Sequence, residues 1–145
     1  MSVDLELPIP EKLKMIIFDL DDTLRGNYQR YNLDPHIIDT LNYLKNNNII
    51  IGIDTLNPWA SFLLQEYNVN DLFTYVCCND FNIENDDKTQ MLLFMMEKSG
   101  IPPENILYFD DGQMQCDRAE KVNIKYILVK PLLQWDDIKR GFDLF

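Results

Sequence analysis

Carboxylates and hydroxyls recur where short apolar runs of this sequence end. The run at residues 15–18 is followed by Asp19, Asp21 and Thr23, each two positions apart. A short continuous apolar run is typical of a strand buried on both faces, and open α/β sheets bind ligands at the carboxyl ends of their strands. At about 4 Å and an effective dielectric constant near 20, two carboxylates repel each other by roughly 4 kcal/mol. We therefore expect a bound cation or a shared proton between Asp19 and Asp21.

The same pattern recurs at two later strands. Asp54 and Thr55 follow a second apolar run, and Asp110 and Asp111 follow a third, while Lys88 lies at the predicted start of a helix. Because the carboxyl ends of parallel strands lie at one edge of a sheet, these groups are expected to form one site. A carboxylate nucleophile, an acid/base group, a hard cation and donors for oxygen atoms would suit attack on a dianion.

The elements that must position these groups alternate between strands and helices. The predicted strands cover residues 15–18, 49–53, 73–79, 106–109 and 126–129. The predicted helices begin at Pro35, at Pro58 and after Asp87, and cover residues 114–122 and 133–145. This order predicts an α/β fold with a doubly wound, Rossmann-like parallel sheet and helices on both faces. We expect one domain over residues 1–145, with an extended lead-in at residues 1–12 and a polar loop at residues 25–34.

The composition favours a soluble globular protein. The 145 residues are 46% hydrophobic, and no apolar run approaches the roughly 20 residues of a membrane span. The first ten residues contain no basic residue, so we expect no signal peptide and no membrane partner. Three cysteines give no disulfide framework, which favours the reducing cytoplasm. A net charge of −11 counts against binding to nucleic acid.

Other reactive residues are expected to be structural. His36 follows the proline that starts the first helix, and we expect no catalytic role for it. Cys77 and Cys78 lie in a predicted strand and should face opposite sides of the sheet as core residues. Met91, Met95 and Met96 recur at helical spacing and are interpreted as core. The helix from Pro58 is expected to carry four apolar residues on one side, namely Trp59, Phe62, Leu63 and Tyr67.

Taken together, the motifs resemble a known family. The matching residues are Asp19-x-Asp21-x-Thr23, Thr55, Lys88 and Asp110-Asp111, which resemble motifs one to four of the haloacid dehalogenase superfamily. The spacings agree, with 36 residues from Asp19 to Thr55, 33 to Lys88 and 22 to Asp110. The sequence is most similar to the small magnesium-dependent phosphatases of that superfamily, which have no cap domain.

The resemblance implies a phosphomonoesterase. Asp19 would attack phosphorus and form an aspartyl-phosphate, and Asp21 would protonate the leaving alcohol and later activate water. Thr55 would bind phosphate oxygens, although Asp54 could be the motif-two residue if the strand ends one position earlier. Lys88 would neutralise charge on the nucleophile and the phosphoryl group.

The resemblance also implies a Mg²⁺ site. Its expected ligands are Asp19, the backbone carbonyl of Asp21, and Asp110, with Asp111 either behind Asp110 or in its place. An all-oxygen ligand set favours Mg²⁺ over zinc.

Three departures from the family leave the substrate open. Thr55-Leu56 replaces a Ser-Arg pair, Gln115 replaces an asparagine, and the insertion after motif one is short. The expected substrate is a phosphoprotein of the phosphotyrosine type or a small sugar phosphate. The alternatives are a 3′-phosphatase on nucleic-acid ends, or a catalytically weakened domain that serves as a binding or structural module.

Overall fold

The computed structural model describes residues 3–26, 32–78 and 83–145, and its strands form one parallel sheet. The strands are β1 Met15–Phe18, β2 Ile50–Asp54, β3 Tyr75–Cys77, β4 Ile106–Asp110 and β5 Lys125–Leu128. Their order is β3-β2-β1-β4-β5, and every pairing is parallel. The strand order reverses at β1, which pairs with β2 on one side and with β4 on the other.

In the described part of the chain, five α-helices connect or follow these strands. They are α1 Pro35–Asn46, α2 Ala60–Glu66, α3 Thr89–Ser99, α4 Gln113–Lys121 and α5 Trp135–Phe142. Pro35 occupies the first turn of α1, where its missing N–H costs no hydrogen bond. Gly100 ends α3 in the left-handed conformation, with φ of 70°, which glycine adopts without steric cost.

Each face of the sheet buries alternate residues of its strands. In β1, Ile16 and Phe18 belong to the core that includes residues of α1, α2 and α5. Met15 and Ile17 belong to a second core, which includes residues of α3 and α4. This alternation follows from the two-residue period of a strand. The helices therefore cover both faces, and the predicted doubly wound α/β fold is confirmed.

A glycine in β2 allows α3 to lie close to the sheet. A Cβ atom added at Gly52 would lie 2.6 Å from Sδ of Met95, which is too close for a real contact. Met91 and Met95 are both fully buried, as predicted for core methionines. Cys77 belongs to the same core, whereas Cys78 packs against the other one, so the two cysteines face opposite sides as predicted.

The predicted apolar side of α2 was partly wrong. The helix begins at Ala60, two residues after Pro58, and its fully buried side chains are Ala60 and Leu64. Tyr67 continues this face, because it lies three residues beyond Leu64. Trp59 and Phe62 point to solvent instead and are 68% and 56% exposed.

Smaller differences concern where elements begin and end. The third strand is shorter than predicted, and Asn79, its predicted end, lies outside the described residues, as do residues 27–31 of the predicted loop. The lead-in packs against the core through Val3, Leu7 and Ile9, and the Tyr43 hydroxyl donates a hydrogen bond to the carbonyl of Leu7.

The internal intervals limit what can be inserted between the elements. Residues 19–34 separate β1 from α1, and residues 78–88 separate β3 from α3. Both intervals are too short for a folded domain, which needs roughly 40 residues or more. In the described part of the chain, no helix has the length and apolar character needed to cross a membrane.

Candidate active site

The predicted chemical groups meet where the strand order reverses. Asp19 directly follows β1, Asp54 ends β2 and Asp110 ends β4. These three strands are neighbours at the centre of the sheet, so their carboxyl ends border one crevice. A cavity of about 220 Å³ opens there. Its lining residues are Asp19, Asp21, Thr55, Leu56, Asn57, Lys88, Asp110 and Gln115.

Lys88 joins the ends of the three strands. Its Nζ donates hydrogen bonds to Asp19 Oδ1 at 3.0 Å, to the backbone carbonyl of Asp54 at 3.1 Å and to Asp110 Oδ2 at 2.7 Å. Burial by itself lowers the pKa of this ammonium, but the carboxylates of Asp54, Asp19 and Asp110 outweigh it and raise the pKa. Lys88 is therefore a charged side chain that is 3% exposed.

Three carboxylates at this edge of the sheet form a set of oxygen donors. Asp19, Asp110 and Asp111 each offer an oxygen, and these atoms lie within 4.8 Å of one another. Burial raises the pKa of Asp19 well above its ordinary value against the effect of Lys88, and the charge of Asp110 raises it further. Burial also raises the pKa of Asp111. A hard divalent cation would relieve this repulsion, so the donor set fits Mg²⁺.

Both oxygens of the Asp21 carboxylate are engaged. Arg25 Nη1 lies 2.5 Å from Oδ1, and Asn57 Nδ2 donates to Oδ2 at 3.0 Å. Arg25 also donates from Nε to the hydroxyl of Tyr67 at 2.6 Å. Neither Arg25 nor Asn57 was predicted to contact Asp21, because position was their only signal in the sequence: Arg25 lies four residues after Asp21, and Asn57 lies two after Thr55.

Thr55 borders the cavity, whereas Asp54 is buried and does not line it. Thr55 lines the cavity, and its Oγ1 accepts a hydrogen bond from the backbone N–H of Asn57 at 3.1 Å. Asp54 is fully buried below, where its Oδ2 lies 2.6 Å from the hydroxyl of Tyr108. Thr55 is therefore the residue of this pair that borders the cavity, and Asp54 requires a separate explanation.

Two further contacts orient the carboxylates. Thr23, which is fully buried, donates from Oγ1 to Asp19 Oδ2 at 3.3 Å. The backbone N–H of Gly112 donates to Asp110 Oδ1 at 2.9 Å. His36 lies elsewhere, with its Nε2 3.0 Å from the backbone carbonyl of Leu133.

The fold and the cavity define an α/β protein with a carboxylate site at the switch point of its sheet. The family model described as haloacid dehalogenase-like hydrolase matches residues 25–129, so the chain belongs to that family. The match includes Thr55, Lys88 and Asp110 and begins after Asp19 and Asp21.

Comparisons with individual proteins agree with this assignment. Phosphoglycolate phosphatase 1 of Pseudomonas aeruginosa is 27% identical over 93 residues, or 63% of this chain. The matched part spans only 34% of that relative's own length. A hydrolase from Streptococcus pneumoniae is structurally similar with a TM-score of 0.75 at 13% identity, covering 91% of this chain and 99% of its own. A HAD-superfamily hydrolase from Geobacter sulfurreducens has a TM-score of 0.68 at 15% identity, covering 85% of this chain and 90% of its own.

Proposed function

We propose that this chain is a Mg²⁺-dependent phosphomonoester hydrolase that acts through an aspartyl-phosphate on Asp19. The supporting observation is the set of contacts around Asp19. One oxygen accepts a hydrogen bond from Lys88 and the other accepts one from Thr23, while the side chain still borders the cavity. A buried carboxylate held at both oxygens is oriented before the substrate arrives, which lowers the cost of reaching the attacking geometry.

The reaction has two displacement steps. In the first, an oxygen of Asp19 bonds to phosphorus, the bond from phosphorus to the ester oxygen breaks, and Asp21 gives a proton to the departing oxygen. In the second, a water oxygen bonds to phosphorus, Asp21 takes the proton of that water, and the bond between phosphorus and Asp19 breaks. Inorganic phosphate leaves, and both aspartates return to their starting states.

The other lining groups stabilise charge during both steps. Lys88 contributes a permanent positive charge beside Asp19, and Thr55 can donate a hydrogen bond to a phosphoryl oxygen. A Mg²⁺ ion held by Asp19, the backbone carbonyl of Asp21, Asp110 and Asp111 would withdraw negative charge from the phosphoryl group.

We propose a phosphorylated protein of the phosphotyrosine type, or a small sugar phosphate, as the substrate. The short intervals at residues 19–34 and 78–88 support an open site, which could accept a phosphate carried on a large molecule. The name of the Pseudomonas relative, a phosphoglycolate phosphatase, supports the small-substrate alternative. We place this activity in the cytoplasm, because three cysteines, an odd number, give no disulfide framework.

Hydrolysis of an aryl phosphate tests the proposal. The wild type should turn over with Mg²⁺ and stop with chelator, and Asp19→Asn should abolish turnover. Asp117→Asn is the matched control, because Asp117 lies exposed on α4. Mass spectrometry after an acid quench should find phosphate on the peptide that contains Asp19.

A folded wild type without turnover on any tested phosphate monoester, or an active Asp19→Asn, would contradict the proposal. Calorimetry with Mg²⁺ gives an independent readout, since Asp110→Asn should weaken binding whether or not a substrate is known.

A further inference from the structure

A second, buried hydrogen-bonded group lies beneath the cavity. Asp54 is fully buried, and its Oδ2 lies 2.6 Å from the hydroxyl oxygen of Tyr108. The same hydroxyl also contacts Asp110 Oδ2. Among the described residues, Asp54 Oδ1 has no hydrogen-bond partner and lies 3.6 Å from Lys88 Nζ. Neither Asp54 nor Tyr108 lines the cavity.

The hydrogen bonds among Lys88, Tyr108 and the two carboxyl groups require one proton more than Lys88 and Tyr108 supply. The three N–H groups of Lys88 are directed at Asp19 Oδ1, the backbone carbonyl of Asp54 and Asp110 Oδ2. No proton of Lys88 remains for the Asp54 carboxyl group. Tyr108 has one hydroxyl proton, yet its oxygen lies between two carboxyl oxygens. Both contacts are hydrogen bonds only if one of the two carboxyl groups carries a proton.

The hydrogen bonds and burial of Asp110 and Asp54 indicate which of the two carboxyl groups carries the proton. Asp110 already accepts a hydrogen bond at each of its oxygens, from Lys88 at Oδ2 and from the backbone N–H of Gly112 at Oδ1. Asp54 has zero exposure, and within the described residues its carboxyl group makes a hydrogen bond to Tyr108 alone, while Lys88 Nζ stays 3.6 Å from Oδ1. Burial raises the pKa of Asp54 to about 7, against the lowering effect of Lys88. The proton therefore belongs to Asp54.

We propose that Asp54 is a neutral hydrogen-bond donor that acts through Tyr108 as a positioning residue for Asp110. The Asp54 O–H donates to the Tyr108 oxygen, and the Tyr108 O–H donates to Asp110 Oδ2. The backbone carbonyl of Asp54 holds Lys88 from the same strand end. Asp54 is then neither a second nucleophile nor a metal ligand. The catalytic part of this inference rests on the proposed function, whereas the neutral state of Asp54 does not.

Three substitutions distinguish a positioning role of Asp54 from a role as nucleophile or metal ligand. Asp54→Asn keeps a neutral donor for Tyr108, so kcat should stay within about threefold of the wild type. Tyr108→Phe removes the donor to Asp110, and a lost hydrogen bond to a charged group should lower kcat on the order of tenfold with little change in KM. The kcat of Asp54→Leu should lie between the values for Asp54→Asn and Tyr108→Phe. Combining Asp54→Leu with Tyr108→Phe should cost little more than Tyr108→Phe alone, because both changes act on one chain of hydrogen bonds.

Infrared spectroscopy supplies a readout that needs no turnover. The difference spectrum between wild type and Asp54→Asn, both loaded with Mg²⁺ at about pH 5 and therefore well below the pKa of about 7 for Asp54, should contain the carbonyl band of a protonated carboxylic acid. A difference spectrum that contains a carboxylate band and no band of a protonated acid would overturn the proposal. An inactive Asp54→Asn, or a Tyr108→Phe variant with unchanged kcat, would overturn it as well.

The two proposals can fail separately. If the enzyme assays with Asp19→Asn contradict the phosphatase mechanism, the infrared band still tests the protonation of Asp54. Calorimetry then tests the positioning role, since Tyr108→Phe should weaken Mg²⁺ binding and Asp54→Asn should not. Equal Mg²⁺ affinity in all three proteins would overturn the positioning role.

Discussion

Arg25 and Asp21 form an ion pair in which Nη1 lies 2.5 Å from Oδ1. Asn57 holds the other oxygen of the same carboxylate, and the hydroxyl of Tyr67 accepts a hydrogen bond from Arg25. The proposed acid/base group is thus fixed by side chains from three segments of the chain. Its orientation toward a leaving oxygen depends on residues that do no chemistry themselves.

Replacing Arg25 should therefore affect substrates unequally. Arg25→Gln removes the ion pair with Asp21. The Asp21 carboxyl group is then less well oriented to give a proton to the leaving oxygen. The loss in kcat should be on the order of tenfold larger for an alkyl phosphate than for a nitrophenyl phosphate, whose leaving group needs no proton.

The comparison uses steady-state kinetics on both esters. Arg140→Gln is the matched control, because Arg140 pairs with Asp137 within α5 and should leave both rates unchanged. Equal losses on the two esters would argue against a role for Arg25 in orienting Asp21.

Removing the charge of Lys88 should destabilise the metal-free protein. Lys88→Met leaves two buried carboxylates, Asp19 and Asp110, without their shared cation. Breaking a buried ion pair on one side costs about 3–5 kcal/mol. Urea unfolding in chelator should show a loss of this order, and Mg²⁺ should restore part of it by binding the same carboxylates.

Lys98→Met provides the reference for this experiment, since Lys98 is exposed on α3 and lies 5.8 Å from the ring centroid of Phe94. Its stability should change little. A Lys88→Met protein as stable as the wild type in chelator would contradict the buried-charge argument.

The buried Asp54 should make the metal-free protein less stable as pH rises. Burial raises its pKa from 3.8 to about 7, so the folded state binds a proton that the unfolded state releases. The resulting stability is fully present below about pH 4 and is lost as pH rises through about 7. A shift of this size corresponds to about 4 kcal/mol.

Melting temperatures in chelator between pH 5 and pH 8.5 test this linkage. The wild type should lose several degrees across this range, and Asp54→Asn should lose less, since its amide does not titrate. Parallel curves for the two proteins would show that Asp54 does not change its protonation there.

Cys116 should be inert to thiol reagents in the folded state. It is fully buried, and burial raises the pKa of its thiol to about 12, so almost no thiolate exists near neutral pH. Iodoacetamide labelling followed by peptide mass spectrometry should modify Cys116 only after denaturation. Cys78, which is half-buried, is the internal comparison. Labelling of Cys116 at the same rate in native and denatured protein would contradict this expectation.

The sequence was sufficient to predict the sheet and the residues gathered at its edge. Apolar runs that end in polar residues identify buried strands, and the parallel arrangement brings their carboxyl ends together. This reasoning placed Asp19, Thr55, Lys88 and Asp110 at one edge, and in the structure they line one cavity.

What the sequence could not predict depends on the direction of side chains. Asp54 and Thr55 are adjacent, and only the exact end of β2 decides that Asp54 turns downward to Tyr108 while Thr55 borders the cavity. Arg25 and Asn57 look like ordinary loop residues until the fold brings them to Asp21. The buried face of α2 was not predictable from the sequence either, because this short helix packs Ala60 and Leu64 on the core and leaves the larger Phe62 exposed.

The position of β1 in the middle of the sheet also constrains the order in which the site can form. Its pairing with β4 joins residues 15–18 to residues 106–109, across a long closed loop that is entropically costly. A nascent chain that has emerged only as far as α3 holds β1, β2 and β3, and so has Asp19, Thr55 and Lys88 without Asp110. During synthesis the proposed nucleophile Asp19 therefore exists before the proposed metal ligand Asp110, and the proposed activity is expected to appear abruptly, when β4 docks against β1.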